Sequence, residues 1–509
     1  MESHKKINER TSRAELNIIV ALGTQILSLI CGFIIPGLLI RTYGSEAYGA
    51  TTSIAQFLAY ITLLEGGVGG VARSALYEPI AKNNIKQISE ILNEVRIFFR
   101  RIAYIYIIYV VLLSLSFYKL SNITCMNHIS TIMLVLVISI STFAQYFIGI
   151  SYQLLIQADQ KIYITNIINA LTTVLNTVLI ALLVLGGYNL IFVKLISSFV
   201  FTLRPLLMWL YVRKNYSIEK SANRNEDALS SKWTALGQHI AFFIHSNTDI
   251  AVLTIISNLS SVAVYSVYNM IISSIQNITS SFSAGMEAVF GEMLANHEYS
   301  KLQNVFSLYE TIISFFTIMF FGITAVMIVP FVSIYTKGVN DANYIVPLFA
   351  VLLIISSVIF CLRLPYHALI IASGKFKETK IAAYGEAVLN LGISIILVNK
   401  FGLIGVAVGT VVATFFRFFF YAIYLSNNII NRKFTRFLKR NTINFITFII
   451  IYIIGNFFLK NVEISSYVLW IYNALFITIL AFCITLISIT IFYYSDMVHL
   501  VNRLFRKTL

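Results

Sequence analysis

The sequence predicts an all-α integral membrane protein of about 14 transmembrane helices, arranged as two six-helix repeats and two extra C-terminal helices. Three observations predict this class: the composition, an internal repeat and the distribution of basic residues. The chain is 58 % hydrophobic and 12 % charged, whereas a soluble protein carries about 25 % charged residues. Its 509 residues are enough for a dozen or more spans of about 20 residues each.

An internal repeat relates two stretches of the chain. Residues 152–184 align without a gap on residues 366–398, an offset of 214, and 12 of the 33 positions are identical. The matches include Lys161 with Lys375. Chance matching in a chain this rich in Ile and Leu gives roughly 10 % identity, so the chain is predicted to contain two similar halves.

The apolar segments give the order of the predicted spans. A polar break at 213–232 and a basic stretch at 431–440 separate them into three groups. We therefore expect an N-terminal six-helix lobe (1–220), a C-terminal six-helix lobe (221–430) and two additional helices with a basic tail (431–509). The predicted spans are 16–40, 47–77, 97–118, 129–157, 162–185 and 189–212, then 233–256, 261–291, 308–335, 344–373, 380–398 and 402–425, and finally 443–459 and 467–494.

Lys and Arg predict the orientation. On one side of the predicted membrane, the connections, both termini and the first residues of the adjoining spans hold 27 of these residues, whereas the opposite connections hold five. Because cytoplasmic loops are enriched in Lys and Arg, both termini are expected in the cytoplasm. The formal charge of +15 is then a topology signal, and no nucleic-acid partner is expected.

Several charges fall inside the apolar segments. A charge at the bilayer centre costs about 3 kcal/mol on the lenient insertion scale, so such side chains are expected to face protein or a water-filled cavity. The alternative is a structural ion pair, or a side chain that snorkels to the interface. The basic members are Arg73, Lys194, Arg204, Arg363 and Arg417, and the acidic members are Glu65, Asp249, Glu287 and Glu386.

The repeat offset relates some of these charges. Arg73 maps onto Glu287, so the two are expected to face each other as a gate or coupling pair across a cavity between the halves. Arg204 maps one residue from Arg417, and converging arginines suit the oxygens of a phosphate group. His245 and Asp249, at i and i+4, are expected to share one helix face.

The second span carries the run Glu65-Gly66-Gly67-Val68-Gly69-Gly70. Glycine weakens a helix, so the run is either a hinge or a face for close packing, and the sequence leaves both open.

No enzyme signature is present in the sequence. There is no GxxxxGK[ST] run, the four cysteines have no CxxC spacing, and no polar region exceeds about 25 residues. We therefore expect no catalytic residues, no metal site and no cofactor, and transport that is passive or driven by an H⁺ or Na⁺ gradient.

Three motifs carry a resemblance to a known family. They are the G-x-E-x-Y-G turn at residues 44–49, the Gly-rich second helix at 65–73 that ends in Arg, and twin turns at 157–161 and 372–375 of the A-x-G-K type. The first twin turn has Asp159-Gln160 where Gly is usual. With the duplication and 14 spans, the chain resembles the polysaccharide (O-antigen, repeat-unit) flippases of the multidrug/oligosaccharidyl-lipid/polysaccharide (MOP) exporter superfamily, whose fold is MATE-like.

The resemblance implies a flippase of the bacterial inner membrane that acts in polysaccharide and lipopolysaccharide biosynthesis. It would move undecaprenyl-diphosphate-linked oligosaccharide repeat units by alternating access, coupled to H⁺ or Na⁺. Expected partners are the lipid-linked oligosaccharide, membrane lipids and the polysaccharide polymerase or chain-length machinery. The predicted head-group residues are Arg73, Arg204, Arg363 and Arg417, and the predicted ion-coupling or gating residues are Glu287, Asp249, Glu65 and His245.

Two alternatives remain at this stage. A cation-coupled multidrug exporter of the MATE type would have twelve helices and an acid-dominated cavity. A membrane enzyme such as a polysaccharide polymerase or ligase would carry a large outer loop with Arg and His, and the outer loops here are short.

Overall fold

The computed structural model describes residues 2–219, 247–283, 285–430, 432–494 and 496. Every regular element in these ranges is a helix, which confirms the predicted all-α class. The chain forms two compact units, Met1–Ala263 and Val264–Leu509. The division into lobes at residues 220 and 430 stays a prediction.

The first unit is built from helices that follow the predicted spans. Their ends differ from the predictions mainly where a helix extends beyond its apolar core. The helices are α1 (Glu2–Tyr43), α2 (Ser45–Ala59, continued by a 3₁₀ turn Tyr60–Glu65), α3 (Val68–Ala81), α4 (Ile85–Ser121), α5 (His128–Ala158, with a π turn at Gln145–Gly149), α6 (Ile162–Leu185), α7 (Leu190–Asn215) and α8 (Asn247–Ile256).

The second unit contains the remaining elements, the first of which begins five residues before the unit boundary. They are α9 (Leu259–Ser281), α10 (Met286–Ala295), α11 (Tyr299–Tyr335), α12 (Pro347–Ala372), α13 (Phe376–Phe401), α14 (Leu403–Asn428), α15 (Phe434–Leu459) and α16 (Tyr467–Phe492).

Eleven described helices are long and apolar enough to cross a membrane, or twelve if the bent pair α2–α3 is one span. Of the other two predicted spans, 261–291 corresponds to α9 with α10. The span 233–256 is described only as α8 from residue 247 onward, and its residues 233–246 lie outside the described ranges. The chain is therefore a multi-pass membrane protein, and the predicted number of 14 is approximate.

The glycine run breaks the second span. The stretches Ser45–Glu65 and Val68–Ala81 meet at an angle of 50°, and Gly66 and Gly67 have φ of 57° and 82°, a left-handed region that favours glycine. A Cβ on Gly70 would meet no atom within 4 Å. The run is therefore a bend, and it does not provide a close-packing face at Gly70.

The internal repeat is visible in backbone conformation. Gln160 and Gly374 occupy equivalent positions in the two twin turns, and their φ angles are 59° and 67°. A residue other than glycine rarely adopts this conformation. The turn that contains Gln160 is stabilised by Asn17, whose side-chain nitrogen donates to the Gln160 carbonyl at 2.9 Å and whose oxygen accepts from the Tyr163 backbone N–H at 2.8 Å.

Helix α15 packs on α11 through two glycines. A Cβ on Gly455 would lie 2.7 Å from the side chain of Val326, and a Cβ on Gly322 would lie 3.0 Å from that of Ile451. Each glycine therefore accepts a branched side chain of the other helix. Small residues allow helices to approach closely in a membrane, where no hydrophobic effect holds them together.

An ionic cluster joins the ends of α11, α15 and α16, and we call its four residues the Glu310 cluster. Glu310 pairs with Arg432 at 2.7 Å and with Arg440 at 3.0 Å, and Arg440 also pairs with Asp496 at 2.9 Å. Burial opposes the charge of Arg432, but hydrogen bonds and attraction from Glu310 outweigh it and raise the pKa of its guanidinium. The cluster holds two charges of each sign.

The turn between α4 and α5 offers a test of orientation, because it contains the exposed Cys125. Glu46 holds this turn by accepting hydrogen bonds from the Thr124 backbone N–H at 2.6 Å and from its hydroxyl at 2.8 Å. Desolvation raises the pKa of the Cys125 thiol to about 11, and the negative charge of Glu46 adds to the rise.

We expect Cys125 to react slowly with a maleimide, because only the thiolate attacks. A pKa two units above the ordinary 9.0 lowers the thiolate fraction at pH 7 about 100-fold. In a chain whose other cysteines are replaced, the rate should rise about tenfold per pH unit from 7 to 10 without a plateau. A membrane-impermeant maleimide should label Cys125 from the side opposite to the termini; labelling from the same side would contradict the orientation, and a plateau near pH 9 would contradict the raised pKa.

Candidate functional site

In the first unit, Arg204 is a membrane-embedded cation with neutral partners. Its Nε donates to the hydroxyl of Thr172 and its Nη2 to that of Thr173, both at 2.8 Å. The guanidinium also lies 4.3 Å from the Phe201 ring. No described carboxylate lies within 4 Å of it, and the side chain is partly exposed. Arg204 therefore retains an unneutralised positive charge that can attract an anion.

The predicted residues of the bent span lie near α5. Arg73 Nη1 donates to Gln157 Oε1 at 3.1 Å, and the hydroxyl of Tyr146 donates to Glu65. Both charged side chains are half-buried. Among described residues, Arg73 has no carboxylate within 4 Å, so it is a second cation of this unit whose hydrogen-bond partner is neutral.

Asp249 belongs to a buried polar group in the first unit. Asp249 is 6 % exposed, and its carboxylate interacts electrostatically with the hydroxyl of Tyr60. The neighbouring Asn247 accepts a hydrogen bond from Gln56, and its carbonyl accepts one from the hydroxyl of Tyr60 at 3.2 Å. The predicted partner His245 lies outside the described residues, so the shared helix face stays a prediction.

In the second unit, Arg363 and Arg417 both form an ion pair with Glu386. Arg363 lies 2.6 Å from Glu386 and Arg417 lies 2.5 Å from it, each arginine taking one carboxylate oxygen. Residue exposure is 5 % for Arg363, 0 % for Glu386 and 8 % for Arg417. This Glu386 triad has two positive charges and one negative charge, and it links α12, α13 and α14.

Two aromatic contacts complete the triad's surroundings. Arg417 donates from Nε and Nη2 to the hydroxyl of Tyr421, at 3.0 and 2.9 Å. The ring of His367 stacks on the same tyrosine with 6.1 Å between centroids.

The predicted coupling residue Glu287 is exposed in the first turn of α10, where the positive end of the helix dipole favours a carboxylate. Its pairing with Arg73 stays a prediction.

At equivalent positions of the repeat, the two units place different side chains beside an arginine. Glu386 in the second unit is equivalent to Thr172 in the first, and each contacts an arginine of the following helix. The first unit thus offers a hydroxyl where the second offers a carboxylate. A carboxylate neutralises its arginine, whereas a hydroxyl leaves the positive charge in place.

A groove of about 750 Å³ lies in the second unit between α11, α12, α14 and α15. Apolar side chains line most of it, and Phe415, Leu438 and Phe445 are 50 %, 43 % and 59 % exposed. In a membrane these surfaces contact acyl chains, so the groove has the chemistry to accept a hydrocarbon tail.

Sequence reasoning missed two parts of this arrangement. It marks Glu386 as an acid in an apolar segment without choosing it as a site residue, although its equivalence to Thr172 follows from the repeat offset. It also missed the Glu310 cluster. Arg432 and Arg440 lie in the basic stretch 431–440, which sequence reasoning used only to predict the orientation. Within the described ranges, no group of three or more His, Cys, Asp or Glu could hold a metal ion.

Solved structures share this arrangement of helices. The chain aligns with the lipid II flippase MurJ in an inward closed conformation at a TM-score of 0.67 and 17 % identity, over 95 % of this chain and 99 % of that one. It has the MurJ/MATE-like fold. An inward-facing multidrug-resistance MATE family transporter of the MOP superfamily aligns at 0.57 and 16 % identity, over 80 % of this chain and 98 % of that one.

A second MATE structure, the multidrug transporter DinF-BH, aligns at a TM-score of 0.55 and 15 % identity, over 81 % of this chain and 95 % of that one. No protein-family model matches the chain, and no curated protein matches it in sequence. The predicted MATE/MOP-like fold is therefore confirmed, and the finer family remains a matter for proposal.

Proposed function

We propose that this protein is a flippase that moves an undecaprenyl-diphosphate-linked oligosaccharide across the bacterial inner membrane by alternating access, coupled to an H⁺ or Na⁺ gradient. The observation that carries the proposal is Arg204, a membrane-embedded guanidinium whose described partners are two threonine hydroxyls. Arg73, which donates to Gln157, is a second cation in the same unit. Guanidinium groups bind the oxygens of a diphosphate in a forked geometry.

The apolar groove between α14 and α15 supports a lipid-linked cargo. Its volume of about 750 Å³ and its exposed Phe and Leu side chains suit a prenyl tail. The diphosphate head of such a cargo suits arginines whose described partners are neutral, and its long hydrocarbon tail suits the groove. The likeness to a lipid II flippase over 95 % of the chain is consistent with this class of cargo, and a polysaccharide polymerase or chain-length protein would act on the product.

The cation-coupled multidrug exporter is the second candidate. Its supporting observations are the shared fold with MATE transporters and the buried carboxylate of Asp249. A cationic drug would be repelled by Arg73 and Arg204, and a cargo without a long hydrocarbon tail would leave the groove at α15 unused.

A deletion strain separates these candidates. We expect loss of surface polysaccharide and accumulation of lipid-linked repeat units on the cytoplasmic leaflet, both restored by the intact chain. A chain with Arg73→Ala and Arg204→Ala should reach the membrane and fail to restore export, whereas Lys301→Ala, which changes an exposed cation paired with Glu298, should restore it. Unchanged glycan with new sensitivity to cationic dyes would favour the drug exporter.

A further inference from the structure

Two adjoining cavities in the first unit form a site that the flippase proposal does not use. One, of about 400 Å³, is mostly polar, and the other, of about 290 Å³, is more apolar. They share Arg96, Tyr152 and Trp209, and they lie where α4, α5 and α7 meet. We call the pair the Arg96 pocket.

Three arginines line the Arg96 pocket, and each is placed against an aromatic ring. Arg96 lies 5.3 Å from the ring centre of Tyr152 and donates to its hydroxyl at 3.0 Å. Arg100 lies 4.8 Å from the Phe147 ring. A guanidinium stacked on a ring is held in place while its N–H edges stay available, which favours binding of an anion.

The third arginine, Arg213, lies 5.5 Å from the ring centre of Trp209. No described carboxylate lies within 4 Å of any of the three arginines. Glu219 is the acidic residue among the described lining, so three positive charges face one negative charge. The pocket therefore has a net positive charge and aromatic walls.

The position of the pocket along α4 places it at a membrane boundary. The helix has 37 residues, about 55 Å at 1.5 Å per residue, which exceeds the roughly 30 Å of a hydrocarbon core. Its apolar run begins after Arg101. The more apolar cavity is lined by Arg100 of α4 together with Phe147, Ile148 and Leu206, so it lies nearer to this apolar run than the polar cavity does.

We propose that the Arg96 pocket binds a phosphate group, and that its source is the head group of an anionic phospholipid in the adjacent leaflet. The three arginines would contact the phosphate oxygens. The adjoining apolar cavity would receive the glycerol and the first part of an acyl chain. A soluble phosphate would use the same arginines and leave the apolar cavity empty. The site uses none of Arg73, Arg204, Arg363 and Arg417.

Trp209 provides the measurement, because the chain has three tryptophans and this one lines both cavities. In the full chain with Trp233→Phe and Trp470→Phe, we would titrate phosphatidylglycerol in neutral detergent and record Trp209 emission, with phosphatidylcholine as the charge control. Phosphatidylglycerol should give a saturable change and phosphatidylcholine none. The same titration with inorganic pyrophosphate tests the soluble source.

Two variants of α4 decide the outcome. Arg96→Gln with Arg100→Gln removes two charged donors, so the apparent Kd should rise at least about tenfold. Arg101→Gln is the matched control, because Arg101 is exposed and lines neither cavity; its Kd should change less than about twofold. Pyrophosphate binding without lipid binding would support the phosphate site and overturn the phospholipid as its source. Equal weakening by Arg101→Gln, or unchanged binding by the double variant, would overturn the proposal.

Discussion

In the proposed flippase, the substitution Thr172→Glu is expected to lower export at least about tenfold while the protein still folds and reaches the membrane. A carboxylate at position 172 would lie on the Nε side of Arg204, whose distance to the present hydroxyl is 2.8 Å. It would give the first unit the ion pair that Glu386 provides in the second. The neutralised guanidinium would then lose its charge-assisted bonds to the cargo, worth about 1.5–3 kcal/mol, so transport should fall at least about tenfold.

Two further variants make this prediction specific. Thr172→Gln has the size of the glutamate variant without its charge, and it should keep most of the transport activity. Arg204→Gln removes the cation directly and should match Thr172→Glu. The measurement is the rate at which a labelled lipid-linked oligosaccharide crosses reconstituted vesicles. Because Thr172 is 2 % exposed, Thr172→Gln also reports the effect of the larger side chain. Transport by Thr172→Glu at the rate of the wild type would show that the charge of Arg204 does not act on the cargo.

The substitution Glu386→Gln is expected to destabilise the second unit strongly. Glu386 is 0 % exposed and is held between Arg363 and Arg417. Without its charge, two buried guanidiniums would repel each other with no counter-ion, and loss of one partner from a buried ion pair costs about 3–5 kcal/mol. The effect should appear as a lower free energy of unfolding in a denaturing-detergent titration.

Two comparisons test the electrostatic cause. Glu378→Gln, on the same helix, removes an exposed acid 3.5 Å from Lys375, and its effect should stay within about 0.5 kcal/mol. The combination of Glu386→Leu, Arg363→Met and Arg417→Met removes all three buried charges and should destabilise less than Glu386→Gln alone. A Glu386→Gln protein as stable as the wild type would show that the triad does not depend on this charge.

The membrane class and the repeat could be predicted because both depend on local pattern and a fixed offset. An apolar run of about 20 residues specifies a span whatever surrounds it. The twin turns were recognisable because Lys161 and Lys375 match at the repeat offset of 214. The structure agrees, since Gln160 and Gly374, which match at the same offset, share a left-handed backbone conformation.

The partners of the buried charges could not be predicted in the same way. Glu386 lies 23 residues from Arg363 and 31 residues from Arg417, so no helical periodicity relates the three. Their contact depends on how α12, α13 and α14 pack. Arg96 presents the same difficulty, because a basic residue at a helix end satisfies the positive-inside rule and gives no sign that two other helices enclose it.

The Glu310 cluster has a consequence for the biogenesis of the chain. Asp496 leaves the ribosome after the other three members, so until α16 is complete the cluster contains two arginines and one carboxylate. Arg440, at 3 % exposure, would then lack its contact with Asp496, and an uncompensated buried cation is costly. A chain interrupted before residue 496 would carry this imbalance into the membrane. The buried charges of the cluster are therefore balanced only when α15 and the residues that follow α16 are both in place.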